Sequence, residues 1–261
     1  MTYGFFELHV LRTARLTPSA VRIVFGGPDL SGFVSGGRDQ RFKLFLPQAG
    51  QELPVVPSVG ADWYAAWRAA DPATRGIMRT YTVREQRVGE FDVDFALHGP
   101  AGPAASWART AVPGDRLLAL CPTVPDNGGV DFQPPPDTDW VLLTGDDTAI
   151  PAIEAILTWL DPAVPVRAWI EVHDPAGVRP LPPAPGREVT WLFGGGTLDA
   201  VRAAALPSGV PYAWVAGEAG VVRSVRRHLV REREVDRSRV VFTGYWRRGA
   251  TEDDLLAESL P

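Results

Sequence analysis

Three stretches of this chain combine residue types and spacings that can do chemistry. The first is Arg79-Thr80-Tyr81-Thr82, running on to Val83 and Arg84. On an extended strand side chains alternate, so Arg79 and Tyr81 share one face. A guanidinium there can grip a phosphate with two parallel N–H bonds. A phenol ring can lie beside a flat heterocycle, and the Thr82 hydroxyl can bond a ring nitrogen. The same residues also suit an ordinary half-exposed strand. The second stretch is Asp94 to Ala108, DFALHGPAGPAASWA. A strand is expected to end at His98, a Gly/Pro turn to follow, and small residues to open a helix. Unobstructed amides at such a helix start suit a pyrophosphate, with His98 adding a hydrogen bond. A strand-end histidine tied to backbone is the plainer alternative. The third stretch is Thr144 to Ala152, TGDDTAIPA, between an apolar strand and a helical pattern, where dinucleotide folds place phosphates. It is not GxGxxG. Asp146 and Asp147 would repel a phosphate unless they cap the turn or bond a ribose, and a plain N-capped turn is the other reading.

These residues must be positioned by elements that the hydrophobic pattern predicts. The first half alternates with period two: Phe6, Leu8, Val10; Val21, Ile23, Phe25; Phe42, Leu44, Leu46; the strand carrying Arg79; Phe91 to Leu97; and Leu117, Ala119, Cys121. Six short alternating runs, punctuated by Gly, Pro and Asp, predict a six-stranded antiparallel sheet or small β-barrel. Asp62 to Arg75 interrupts them as a short helix or lid-like insertion. QPPPDTD at 133–139 can continue neither a helix nor a central strand, so the boundary is placed there, giving units 1–136 and 137–261. The second half alternates strands (WVLLTG, VRAWIEVHD, REVTWLFGG, YAWVAGE, VVFTGYW) with helical patterns. That order predicts a parallel-sheet, nucleotide-binding α/β domain. Thr251 to Glu258 reads as a short capped helix.

Composition narrows the class. The chain has 261 residues, 45% hydrophobic and 22% charged, with a formal net charge of -5, so no global basic field points to nucleic acid. One cysteine excludes a disulfide framework and multi-cysteine metal sites. No h-region follows a basic start and no apolar run reaches about 20 residues, which predicts a soluble cytoplasmic protein without a membrane partner. Among the 26 basic residues Lys43 is the one lysine. Arginine clusters therefore carry less information here, and Lys43 carries more.

Read together and in order, RTYTVR, DFALHGPAGPAASWA, PGD, GDDTAIPAI, WVAGEAGVVRSVRRHL and GYWRRG resemble the siderophore-interacting protein family of FAD-dependent ferric-siderophore reductases. The resemblance implies a FAD-binding barrel followed by an NAD(P)H-binding-like domain. It implies that Arg79, Tyr81, Thr82 and Val83 hold the flavin portion of FAD, and that His98, Gly99, Gly102, Ala104 and Ser106 contact its pyrophosphate. Asp146 and Thr148 would meet either the FAD adenosine or the incoming nicotinamide nucleotide. Gly217 and Glu218 match the turn over which a nicotinamide enters, and Tyr245 and Trp246 match an aromatic segment near the flavin, or pack between domains. Lys43, Arg247 and Arg248 match a basic patch for the ferric siderophore. A further basic residue of the family is missing from 121–130, where Cys121 reads as a buried filler. NADPH, NADH or a ferredoxin would supply electrons, and a monomer is expected.

Overall fold

The computed structural model describes residues 2–97 and 102–250. His98, Gly99 and the expected helix at 251–258 lie outside the described residues. The chain divides into two compact units at Val130–Asp131, with Thr17–Ser19 grouped with the second.

The alternating runs of the first half form strands because one side of each can be buried. They are Tyr3–Thr17 (β1), Ala20–Gly26 (β2), Arg41–Leu46 (β3), Ile77–Thr82 (β4), Glu85–Arg87 (β5), Glu90–Ala96 (β6) and Arg116–Pro122 (β7). Hydrogen bonding joins them in the order β4-β3-β7-β1-β2-β6-β5, curled around Leu8, Ile23, Phe42, Leu44, Phe91, Phe95 and Leu117. The sheet has seven strands where alternation predicts six. The extra one, β5, is three residues folded back on β6 by a tight turn at Val88-Gly89, with Gly89 at φ +75°, a conformation that suits glycine. Glu-Gln-Arg has no apolar alternation, so no pattern marks it.

Residues 47–76 include the helix Trp63–Ala69 (α1), inside the expected 62–75 stretch, and pack on Phe5 of β1 and Phe45 of β3. Trp67 is 2% exposed, and its indole N–H donates to the Gly76 carbonyl at 2.8 Å. The Arg75 guanidinium lies 4.0 Å from the Trp67 ring centroid. Trp63 meets Phe5 and Phe45 edge-on, with centroids at 5.8 and 5.9 Å. The helix Pro103–Thr110 (α2) then buries Ala104 and Ala108 against the barrel core.

The second unit is built from Trp140–Asp146 (β8), Ile150–Trp159 (α3), Val166–Val172 (β9), Arg187–Phe193 (β10), Thr197–Ala203 (α4), Pro211–Glu218 (β11), Ala219–Arg231 (α5) and Val240–Trp246 (β12). Its sheet runs β10-β9-β8-β11-β12, every pair parallel. One apolar cluster holds Ile153, Ile156 and Leu157 of α3, and the other holds Val201 of α4 with Val222, Val225 and Leu229 of α5. With both faces covered, β8 and β11 are buried almost throughout. Strand order reverses between β8 and β11, and in open α/β sheets the C-terminal ends at such a reversal are where ligands are taken. No helix among the described residues is long and apolar enough to cross a membrane.

Candidate functional site

In the first unit the donors sit on β4 and at the start of α2. Register pairs Leu44 with Arg79 and Phe42 with Tyr81, so both site residues share the side of the strand that borders the core. Tyr81 packs on Phe95 with ring centroids 4.4 Å apart, which fixes the phenol plane. One Arg79 Nη donates to the Met78 carbonyl at 2.7 Å. Thr82 and Val83 are buried, and the Val83 amide donates to the Gln40 carbonyl at 2.9 Å. Their side chains shape the end of β4 instead of facing solvent.

Gly102 caps α2 with extended backbone, and a Cβ built on it would meet nothing within 4 Å. Pro103 has no N–H and suits the first turn. The Ser106 amide donates to the Gly102 carbonyl at 2.9 Å. Helix geometry leaves the amides of Ala104 and Ala105 without intrahelical acceptors. The Ala104 side chain is buried, so only its backbone can face a ligand, whereas Ser106 is exposed. An open cap, two amides, a hydroxyl and a guanidinium with an aromatic ring form a donor set that fits a flavin dinucleotide.

Lys43 is separate from Arg79 and Tyr81. Its ammonium donates to the Thr80 hydroxyl at 2.7 Å, and Lys43 pairs with Thr80 on the opposite face of the ladder. Because β4 is an edge strand, both faces border its open edge. The segment at 121–130 is organised by Asn127. Its Oδ1 accepts from Tyr3 Oη at 2.9 Å and Gln40 Nε2 at 3.0 Å, and its Nδ2 donates to Gln40 Oε1 at 2.9 Å. Contacts of this sequence separation leave no trace in local pattern. Cys121 is fully buried, and burial pushes its thiol pKa well up, as an inert filler requires.

In the second unit Asp146 holds the switch point together. Its Oδ1 accepts from the Thr148 amide at 2.9 Å and the Thr148 hydroxyl at 2.5 Å. Its Oδ2 accepts from the Glu218 amide at 2.9 Å and the Trp246 indole at 2.7 Å. Asp147 turns the same way, accepting from the His173 amide at 2.9 Å. Both acids are therefore occupied by protein donors, the capping alternative for a GDDT turn. Glu218 caps α5, its Oε2 accepting from the Gly220 and Val221 amides at 2.6 and 2.9 Å. Burial pushes the Glu218 carboxyl up, but the amides of Val221, Arg248 and Gly220 and the charge of Arg223 outweigh it and hold it below the usual carboxylate range. Tyr245 packs edge-on against Trp214, with centroids 6.3 Å apart. The Arg248 amide donates to Glu218 Oε1 at 3.3 Å, and the Arg248 side chain is exposed beside half-buried Arg247.

Comparison with known proteins follows this division. Residues 9–126 match the siderophore-interacting FAD-binding domain, and residues 138–249 match the siderophore-interacting protein domain. The NADPH-dependent ferric-chelate reductase of Escherichia coli is 31% identical, covering 93% of this chain and 92% of its own. The ferric vibriobactin reductase of Vibrio cholerae is 28% identical, covering 94% and 90%. Among solved structures, the siderophore-interacting protein SipS from Aeromonas hydrophila superposes with a TM-score of 0.82 at 31% identity, over 99% of this chain and 97% of that one. A siderophore utilization protein from T. fusca gives a TM-score of 0.82 at 32% identity, over 96% and 95%. With both units matched in order, and relatives aligned along nearly the whole length, the chain belongs to the siderophore-interacting protein family.

Proposed function

We propose that this protein is an FAD-dependent ferric-siderophore reductase, acting as a cytoplasmic monomer with NADPH or NADH as electron donor. In this reading residues 1–136 hold FAD and residues 137–261 receive the nicotinamide nucleotide. The observation that carries it is the coexistence in one chain of the β4–α2 donor set and a parallel-sheet switch point at Asp146 and Glu218. Relatives named as ferric reductases, aligned over nine-tenths of this chain, support it.

Arg79 would neutralise a phosphate, and the α2 amides with Ser106 would take the pyrophosphate, with His98 and Gly99 contributing from the adjoining segment. Tyr81, fixed by Phe95, would set the plane of the isoalloxazine ring. FAD, once bound, supplies the exchange between two-electron nicotinamide chemistry and one-electron reduction of Fe(III). Lys43 in the first unit, and separately Arg247 and Arg248 in the second, would attract the anionic ferric chelate, giving association that weakens with salt. Oxygen-donor chelators hold hard Fe(III) far better than Fe(II), so reduction loosens the metal and lets it leave.

The test is an anaerobic visible spectrum of purified protein loaded with FAD, followed by NADPH, NADH and then a ferric siderophore. Bleaching by a nicotinamide and recovery with iron reduction is the expected result. A flavin that neither nucleotide bleaches would point to a ferredoxin donor. Failure to bind FAD would overturn the assignment.

A further inference from the structure

Asp146 has a role distinct from touching a ligand. We infer that Asp146 is a positioning residue: its carboxylate ties the Trp246 indole to the β8–β11 switch point and so builds one wall of the nucleotide crevice. This deepens the proposed function, because it rests on the second unit receiving a nicotinamide nucleotide.

The geometry is specific. Strand β11 lies between β8 and β12, so a bond from Trp246 to Asp146 must pass the end of β11. It does so at Gly217, whose φ is +127° and where a Cβ would lie 2.6 Å from Asp146 Oδ2. The glycine is what lets carboxylate and indole meet over that strand end. The same Oδ2 takes the Glu218 amide, and Glu218 caps α5, so the C-terminal ends of three strands and the start of one helix hang on one carboxylate. Both Asp146 oxygens already serve two protein donors each, which leaves little capacity for a direct ligand bond. The bond restricts the indole ring to orientations that keep its N–H on Asp146, and in this reading the ring borders the nucleotide site beside the point where strand order reverses.

Three variants test this: Asp146→Ala, Trp246→Phe and the double variant, each as the full chain loaded with FAD. Trp246→Phe keeps an aromatic ring and removes only the donor. The expected result is a rise of about tenfold in KM for the nicotinamide nucleotide in each single variant. The double variant should be no worse than the worse single one. Additive losses, or a fall in kcat without a change in KM, would overturn the inference and place Asp146 in contact with the ligand. If Asp146→Ala does not fold, Trp246→Phe decides alone, an unchanged KM counting against. If neither nucleotide bleaches the flavin of the unaltered protein, the donor reading itself fails and this inference falls with it.

Discussion

Lys43 and Arg79 lie on paired strands one residue out of register, and that offset turns their side chains to opposite faces of the β3–β4 ladder. These two cations are therefore separable. Lys43→Ala should weaken binding of an anionic ferric chelate by about fivefold, the worth of one exposed charge contact, and flatten its salt dependence without changing the flavin spectrum. Arg79→Ala should lower FAD affinity by more than about tenfold, as loss of a charge-assisted bond requires. Titrations with FAD and with chelate, run on both variants, check this. If both variants lose the same ligand, the two sites are one.

Replacing Gly217 with alanine should destabilise the second unit by about 1–3 kcal/mol, because a side chain is strained at φ +127° and its Cβ would meet Asp146 at 2.6 Å. Thermal melting measures the cost. An unchanged Tm would mean that the Asp146–Trp246 bridge yields easily.

Glu90 and Glu218 should contribute to acid stability, beside the lowered carboxyls of Asp137, Glu232 and Asp236. Side-chain hydrogen bonds from Arg12 and Arg87 hold the Glu90 carboxyl at about 2, against an ordinary 4.5. Glu218 is also lowered. A carboxyl whose folded pKa is depressed contributes stability that is present above its unfolded pKa and lost as pH falls through the folded value. Tm should thus be level above about pH 5 and decline from pH 4.5 toward 2, with Glu90→Gln shallower over that window. A variant with the unaltered slope would take Glu90 out of the account.

Trp67→Ala should cost about 3–5 kcal/mol locally, since it empties a buried site and frees the Arg75 stack. Trp67→Phe, which loses chiefly the bond to the Gly76 carbonyl, should cost about 1 kcal/mol. Limited proteolysis should cut the alanine variant within residues 47–76 while leaving the α/β unit whole. Cleavage elsewhere first would show that Trp67 supports more than its own segment.

Most of the architecture was legible because burial on one side of a strand writes itself as alternation. Phe42, Leu44 and Leu46 announce β3, and the buried runs WVLLTG and YAWVAG announce β8 and β11. The three polar residues of β5 carry no such mark, and only the tight turn at Gly89 makes them a strand. Of the candidate site, residue types in order singled out Arg79, Tyr81 and the opening of α2 for the proposal. What sequence could not supply was direction. The burial of Thr82, Val83 and Ala104 and the face that Lys43 occupies depend on register with strands far away in the chain. The bonds of Asp146 to Glu218 and Trp246 bridge 72 and 100 positions, beyond the reach of any local spacing rule.

The excursion at residues 47–76 leaves and rejoins the barrel at Leu46 and Ile77, which are ladder partners. The β3–β4 hairpin is therefore closed without it, and changing its length costs only about 0.6 kcal/mol per doubling in closure entropy. Such a segment behaves as an exchangeable cassette: relatives can lengthen, shorten or replace it while the Arg79 face of the hairpin keeps its register. One condition limits the exchange. Any replacement must bring its own apolar cover for Phe5 and Phe45, so length is free to drift but an aromatic at the position of Trp63 is not.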